Sequence, residues 1–483
     1  MKKTLSLICF GWGFILILLY GFTDLSLPAV NQTSDYLMTF HTAGTLVREG
    51  QAGLLYPAAD ATSFSECAFD RAAHRVLPLL PAPANAEYMY MPLVAGFFVP
   101  LSLLPSSYSL LVWQVLSLGG LAFCAFLVAS YAAKTDEANG MDISATWIAL
   151  TLIPLAISIW IGQVSVLFGL LPFIGGLYFV LKRQDLPAGL VWSLAVFKPQ
   201  FFIPVLMMGV ALATAKRFKP MIGIICGIAV IIGLNLALFP AALFSEWLHT
   251  LKLAEAVYSD LKFGVAQHLA TSLPRAIILL IPVEQHAIVK PLVYALSAVL
   301  GGIGLFFASR LVRSQLSDSI KVSLAAIICV FATPIIVPHV FFYDYSIFAA
   351  AAFLAYSLKW PGTVDRRIKL LIVYGWVIVN TYGILVLVHK EWVVPILFVL
   401  IMLELYRRTI MLARVALKEA SEVPVPVAET EGEDCCNGVV HIAYRGLSDD
   451  RQYIAYSRKW EEIRFFKENG LKVFCADCRR RLL

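Results

Sequence analysis

The chain has 483 residues, of which 59% are hydrophobic and only 14% charged, with a mean hydropathy of +0.78. No water-soluble domain of this length carries such a balance, so the class is a membrane protein. The net charge of +6 is spread through short loops and is not the basic patch of a nucleic-acid binder.

The first apolar run, residues 5–20, follows Lys2-Lys3 and is long enough to cross a bilayer. The lysines place its start inside, so the loop that follows lies outside. That loop, residues 23–90, holds Asp24, Asp35, Glu49, Asp60, Glu66, Asp70 and Glu87 against Arg48, Arg71 and Arg75, a net of −4. Asp35 heads the stretch Asp35-Tyr36-Leu37-Met38-Thr39-Phe40-His41-Thr42-Ala43-Gly44. A carboxylate held at the outer membrane surface can accept a proton from an alcohol. Ser34-Asp35 ahead of Tyr36, Leu37, Phe40, Ala43 and Leu46 also fits a helix N-cap, a purely structural role.

No Asp, Glu, Lys or Arg occurs in residues 88–133, 143–181 or 221–245. In lipid, only helices satisfy their own backbone along such runs. The expected fold class is therefore all-α, a polytopic transmembrane helical bundle with a short soluble C-terminal tail. Basic clusters at Lys182-Arg183, Lys216-Arg217 with Lys219, Arg310 with Arg313, Arg366-Arg367 with Lys369, and Arg407-Arg408 read as cytoplasmic. Alternation from these anchors predicts about twelve crossings with both termini inside. Residues 92–104, broken by Pro92, Pro100 and Pro105, read as re-entrant.

The same alternation sets turns at Gly162-Gln163 and Lys198-Pro199-Gln200 on the outer face. Lys198 is the only charged residue between Asp185 and Lys216, and His339 and Asp344 are the only His, Asp, Glu, Lys or Arg between Lys321 and Lys359. Ionisable groups at such depth are costly and commonly line a cavity or a reactant path. Asp35, Gln163, Lys198, Arg275 and His339 all fall on the outer side, which suggests one cavity with an acid and several phosphate-binding cations. Lys198, His339 and Arg275 each have a plainer reading. Lys198 can snorkel, His339 can be an interfacial histidine, and Arg275 after Pro274 can be a topological anchor.

Residues 1–408 form the expected membrane domain, residues 409–434 a linker, acidic and proline-bearing from Glu419, and residues 435–483 a polar cytoplasmic tail. The tail holds Cys435-Cys436 and Cys475-Ala476-Asp477-Cys478. Zinc on Cys475 and Cys478 is one reading; the adjacent pair is poor ligand spacing, and free thiols or a partner-binding tail compete with it.

The ordered motifs resemble glycosyltransferase family 87, integral-membrane enzymes of the C-type superfamily. The matching segments are Asp35-Tyr36 with Ala43-Gly44, Gly53-Leu54-Leu55-Tyr56, and Tyr90-Met91-Pro92-Leu93 with Pro100-Leu101. Gly162-Gln163-Val164 follows, then Ala188-Gly189-Leu190 and Phe197-Lys198-Pro199-Gln200. Thr271-Ser272-Leu273-Pro274-Arg275 and Thr333-Pro334 with Pro338-His339 close the series, which spans roughly residues 1–405. The resemblance implies a polyprenyl-phosphate sugar donor, typically of mannose, and a lipid or glycan acceptor at the outer face. Asp35 would be the catalytic base and His339 would bind phosphate or orient the acceptor. Lys198 and Arg275 would bind phosphate, and Gln163, Gln200 and Tyr90 would line the substrate site. The membrane portion shows no phosphate-cradling glycine loop and no metal-ligand cluster, so the expected reaction is metal-independent and needs no cofactor. The implied location is a bacterial inner membrane.

Two other classes remain open. A sugar-lipid transporter would also show many spans and few intramembrane charges, although no internal repeat is visible and the polar groups gather at one face. A non-catalytic polysaccharide-assembly protein would keep the fold and dispense with Asp35.

Overall fold

The computed structural model describes residues 2–58, 60–132, 143–258, 271–388 and 393–422, and three tail strands. Its helices, in chain order, are α1 Lys2–Ser26, α2 Pro28–Asn31, α3 Thr42–Arg48, α4 Ala68–Val76, α5 Pro92–Phe98 and α6 Ser106–Ala132. Then come α7 Ile143–Leu150, α8 Ile153–Trp160, α9 Leu171–Leu181, α10 Asp185–Ser193, α11 Pro199–Thr214, α12 Lys219–Leu238 and α13 Ala241–Tyr258. The series ends with α14 Leu273–Ile278, α15 His286–Val312, α16 Asp318–Ile336, α17 Phe348–Ser357, α18 Val364–Val388 and α19 Val393–Glu422.

Among the described residues, five stretches are long and apolar enough to span a membrane: Ser106–Ala132, Lys219–Leu238, Val283–Val312, Asp318–Ile336 and Val364–Leu385. A sixth exists if Ile153–Trp160 and Ser165–Leu181, which meet at 116°, are one broken span. The chain is thus a multi-pass membrane protein, and the long apolar helices among the described residues account for only part of the twelve crossings expected. The reason is length. Asp185–Phe197 and Pro199–Thr214 rise only about 20–24 Å at 1.5 Å per residue, less than a hydrocarbon core of about 30 Å. The residue 92–104 stretch holds the seven-residue α5 and a single 3₁₀ turn, Leu101–Leu103, too short to span.

Close helix approach follows from small residues. A Cβ on Gly189 of α10 would lie 2.0 Å from the Pro220 carbonyl oxygen, and one on Gly223 of α12 would lie 2.5 Å from that of Leu186. Glycine at both points lets the two backbones touch, the usual device where lipid offers no hydrophobic drive. The break between α7 and α8 is also satisfied internally: Asn380 accepts from Ile153 N at 2.8 Å and donates to Thr151 O at 3.1 Å.

The loop between α1 and α5 is folded. Buried Asp70 accepts from Glu66 N at 2.8 Å and Ala86 N at 2.7 Å, closing the chain around α4. Asn235 of α12 accepts from Leu93 N at 2.9 Å and pins α5. Among the described residues two large apolar cores result, beside a small one in which Phe64 meets Leu253, Ala254 and Val257. One is aromatic, built from Tyr36, Phe40, Tyr56, Phe69, Tyr88, Phe98 and Trp113 under the loop. The other surrounds the almost wholly buried α16 and includes Phe342 and Tyr345.

The last helix continues to Glu422, past residue 408, where the membrane portion was expected to end. The tail contributes β1 His441–Arg445, β2 Ile454–Ser457 and β3 Leu471–Cys475, an antiparallel sheet of order β2-β1-β3, so the all-α expectation holds for the membrane portion only. Cys435, Cys436 and Cys478 lie outside the described residues, as do the surroundings of the Cys475 thiol.

Candidate active site

Asp35 follows α2 and opens a π-helical turn, Tyr36–His41, but its side chain caps nothing; the Ser34 hydroxyl accepts from Leu37 N at 3.4 Å instead. The Asp35 carboxylate is thereby left for other partners. The turn is stitched to the end of α8 by Tyr36 N donating to Ile161 O at 2.9 Å. Gly162 makes this approach possible. Its φ is +70°, and a Cβ there would sit 2.3 Å from Tyr36 Cβ, so only glycine fits. The next residue, Gln163, therefore emerges beside Asp35.

Gln163 Nε2 donates to Asp35 Oδ2 at 2.5 Å, and its Oε1 accepts from Lys198 Nζ at 2.9 Å. The carboxylate takes only a donor and the ammonium offers only donors, which fixes the amide's orientation. Lys198 lies in the extended residue between the 3₁₀ turn Leu194–Phe197 and α11, which begins at Pro199. It forms an ion pair with Asp344 Oδ1 at 3.1 Å, with side chains 3% and 1% exposed, and its Nζ lies 5.0 Å from the Tyr343 ring centre. Asp344 is held in turn by Phe341 N at 3.0 Å. Tyr90 sits within the field of Lys198, Asp344 and Asp35. The plainer reading of Lys198 as a snorkelling residue does not hold, since its ammonium is buried and paired.

This run, Asp344–Lys198–Gln163–Asp35, lies at the seam of the two cores: Tyr36, Val164 and Phe197 belong to the aromatic core, and Phe342 and Tyr345 to the bundle core. Burial raises the Asp35 carboxyl above the ordinary aspartate range; the Gln163 N–H and Lys198 ammonium oppose this, and the Asp344 charge adds to it. Asp35 Oδ2 is occupied by Gln163, while no hydrogen bond from a described residue reaches Oδ1.

A second polar group stands on the same connecting segment. His339 Nε2 meets Glu255 Oε2 at 2.5 Å, while Lys290 Nζ and the Tyr294 hydroxyl each reach Glu255 Oε1 at 3.1 Å. Arg275, 1% exposed, lies in the first turn of α14 and acts electrostatically on Tyr294. The residue 338–345 segment ties these groups together. Pro338 O accepts from the Ser272 hydroxyl at 2.7 Å, Val340 O accepts from Thr271 N at 2.8 Å, and Tyr345 donates to Thr271 O at 2.8 Å. His339 and Asp344 thus ride on one strip of backbone, facing different partners.

Of the sequence candidates, Asp35, Gln163 and Lys198 form one bonded chain with Tyr90 beside it, and His339 and Arg275 belong to the neighbouring group. Gln200, on the first turn of α11, makes no hydrogen bond to that chain; its Oε1 is buried without a partner among the described residues. Asp344, Glu255 and Lys290 were not among the site candidates. Asp344 had a visible signal, as one of two ionisable groups in a long apolar stretch. Glu255 had none, because α13 also carries Glu246 and Lys252 and reads as an amphipathic surface helix.

The fold and this polar seam define a polytopic membrane protein with a carboxylate beside a cationic cluster. A model of glycosyltransferase family 87 matches residues 88–338, just over half of the chain. The chain belongs to glycosyltransferase family 87 and is a membrane glycosyltransferase. The matched region includes Tyr90, Gln163, Lys198, Glu255 and Arg275; Asp35 precedes it and His339 follows it by one residue. No curated protein and no solved structure matches the chain.

Proposed function

We propose that this chain moves a sugar, mannose foremost, from a polyprenyl-phosphate donor to a hydroxyl of a lipid or glycan acceptor at the extracytoplasmic face. The observation that supports this reading most directly is the bonded run from Asp344 through Lys198 and Gln163 to Asp35. It orients one carboxylate and leaves Asp35 Oδ1 for a substrate proton. In the transfer, the acceptor oxygen attacks the anomeric carbon, its proton passes to Asp35, and the bond from that carbon to the phosphate oxygen breaks. Polyprenyl phosphate departs with the bonding electrons, and the anomeric configuration inverts. A donor of this kind brings its own leaving group, so the protein's tasks are base catalysis and stabilisation of the departing phosphate.

The charges divide those tasks. Around Lys198 stand two carboxylates, Asp35 and Asp344, a poor setting for a phosphate. We therefore assign Lys198 to holding Gln163 and Asp35 in place, in preference to the phosphate contact expected from sequence. Arg275 and His339 take the phosphate, with Tyr90 and Gln200 along the path of the sugar.

The test uses membranes containing the Asp35→Asn protein and radiolabelled polyprenyl-phosphate mannose. Transfer should fall by about 10²–10⁴-fold, the usual share of a general base, while donor lipid still binds. Unchanged transfer would remove Asp35 from the mechanism. A carrier or a scaffold would move or hold its lipid equally well with either residue.

A further inference from the structure

Glu255 accepts from three side chains at once: His339 on Oε2, and Lys290 and Tyr294 on Oε1. Burial pushes its carboxyl up, but His339 and Lys290 outweigh this and hold it down at about 2. An ionised carboxylate can only accept, so His339 Nε2 must carry a proton and donate it.

The surroundings agree. Lys290 and Arg275 bring two cations to the same group. The Glu255 and His339 side chains are 38% and 27% exposed, so the group opens to a ligand where the Lys198–Asp344 pair is sealed.

We propose that Glu255 is a positioning residue for the lipid-phosphate end of this site, fixing the ring of His339, which binds the donor phosphate. The proposal deepens, and rests on, the transferase reading above. Glu255 itself touches no reacting atom; it acts through His339.

The full chain in lipid nanodiscs tests this with polyprenyl phosphate itself as the probe, its binding measured separately from sugar transfer. Glu255→Gln should weaken polyprenyl-phosphate binding about 10-fold, within the range of losses when the orienting partner of a functional histidine is removed. The donor KM should rise in step while kcat changes much less. In a His339→Gln background the same substitution should add less than about 2-fold, because the two residues act as one unit. Wild-type binding by Glu255→Gln, or independent multiplication of the two losses, overturns the proposal. If Glu255→Gln does not fold, Glu255→Asp carries the test: with the charge kept and the reach shortened, binding must weaken, and equal binding overturns it. Because lipid binding is measured apart from transfer, a wild-type protein that binds but transfers nothing counts against the transferase reading alone.

Discussion

Lys198 and Asp344 form an ion pair sealed from solvent, 3.1 Å from Nζ to Oδ1, between two elements 146 positions apart in the chain. Asp344→Asn leaves the ammonium with a neutral partner in a dry setting. Removing one member of such a pair costs about 3–5 kcal/mol. Thermal unfolding should therefore shift down markedly, and transfer should fall with it, since Gln163 loses its fixed neighbour. The double substitution Lys198→Met with Asp344→Leu should recover most of the stability and none of the activity. Recovery of both would mean that the pair serves packing alone.

The raised Asp35 carboxyl gives the pH dependence its sign. Under the transferase reading Asp35 is a base and must be ionised to accept a proton, so activity is present above its pKa and lost as pH falls through it. Burial moves that loss to a higher pH than an ordinary aspartate would show. A profile of kcat/KM against pH should place the acid limb above the ordinary aspartate range. Gln163→Leu, which removes the N–H that opposes the shift, should move the limb higher still. A limb unmoved by Gln163→Leu would contradict the hydrogen-bonded arrangement.

Gly162→Ala tests the turn that delivers Gln163. The added methyl meets Tyr36 Cβ at 2.3 Å in a backbone conformation with φ +70°. The strain is on the order of 1–3 kcal/mol. Unfolding should occur at lower temperature, and transfer should drop by about 10-fold or more as Gln163 moves off Asp35. The matched control is Gly119→Ala, at a glycine whose added Cβ would meet nothing within 4 Å; it should change neither.

Gly223→Leu addresses the fold instead of the chemistry. A Cβ at this position already lies 2.5 Å from Leu186 O and 2.8 Å from Gly189 Cα, so a larger side chain must part α10 from α12. Because α10 leads directly to Lys198, parting it should abolish both folded yield and transfer, measured by size-exclusion profile and labelled product. A well-folded, active Gly223→Leu protein would show that the contact is dispensable.

What the sequence disclosed was governed by distance along the chain. The helical membrane class could be read from charge-free runs, and Asp35, Gln163 and Lys198 stood out as polar residues next to apolar stretches. Their bonding to one another depends on Gly162 and on three separated segments meeting, which no local pattern encodes. Span count is less legible, because apolar runs such as residues 185–197 have the composition of a crossing but less than the length of one. Asp344 stands out in its apolar stretch, but its partner Lys198 lies too far away in the chain for any local pattern to pair them. Glu255 was hidden by ordinary charged neighbours on its own helix.

The strip at residues 338–345 is fastened by Ser272, Thr271 and Tyr345, with His339 near one end and Asp344 near the other. A ribbon tethered in this way behaves as a ruler. Under the transferase reading, it sets the gap between the leaving group and the attacking oxygen, so acceptors would be sorted by how far their hydroxyl projects. Lengthening the strip by a single glycine should then change which acceptors are glycosylated before it changes how tightly the donor is held.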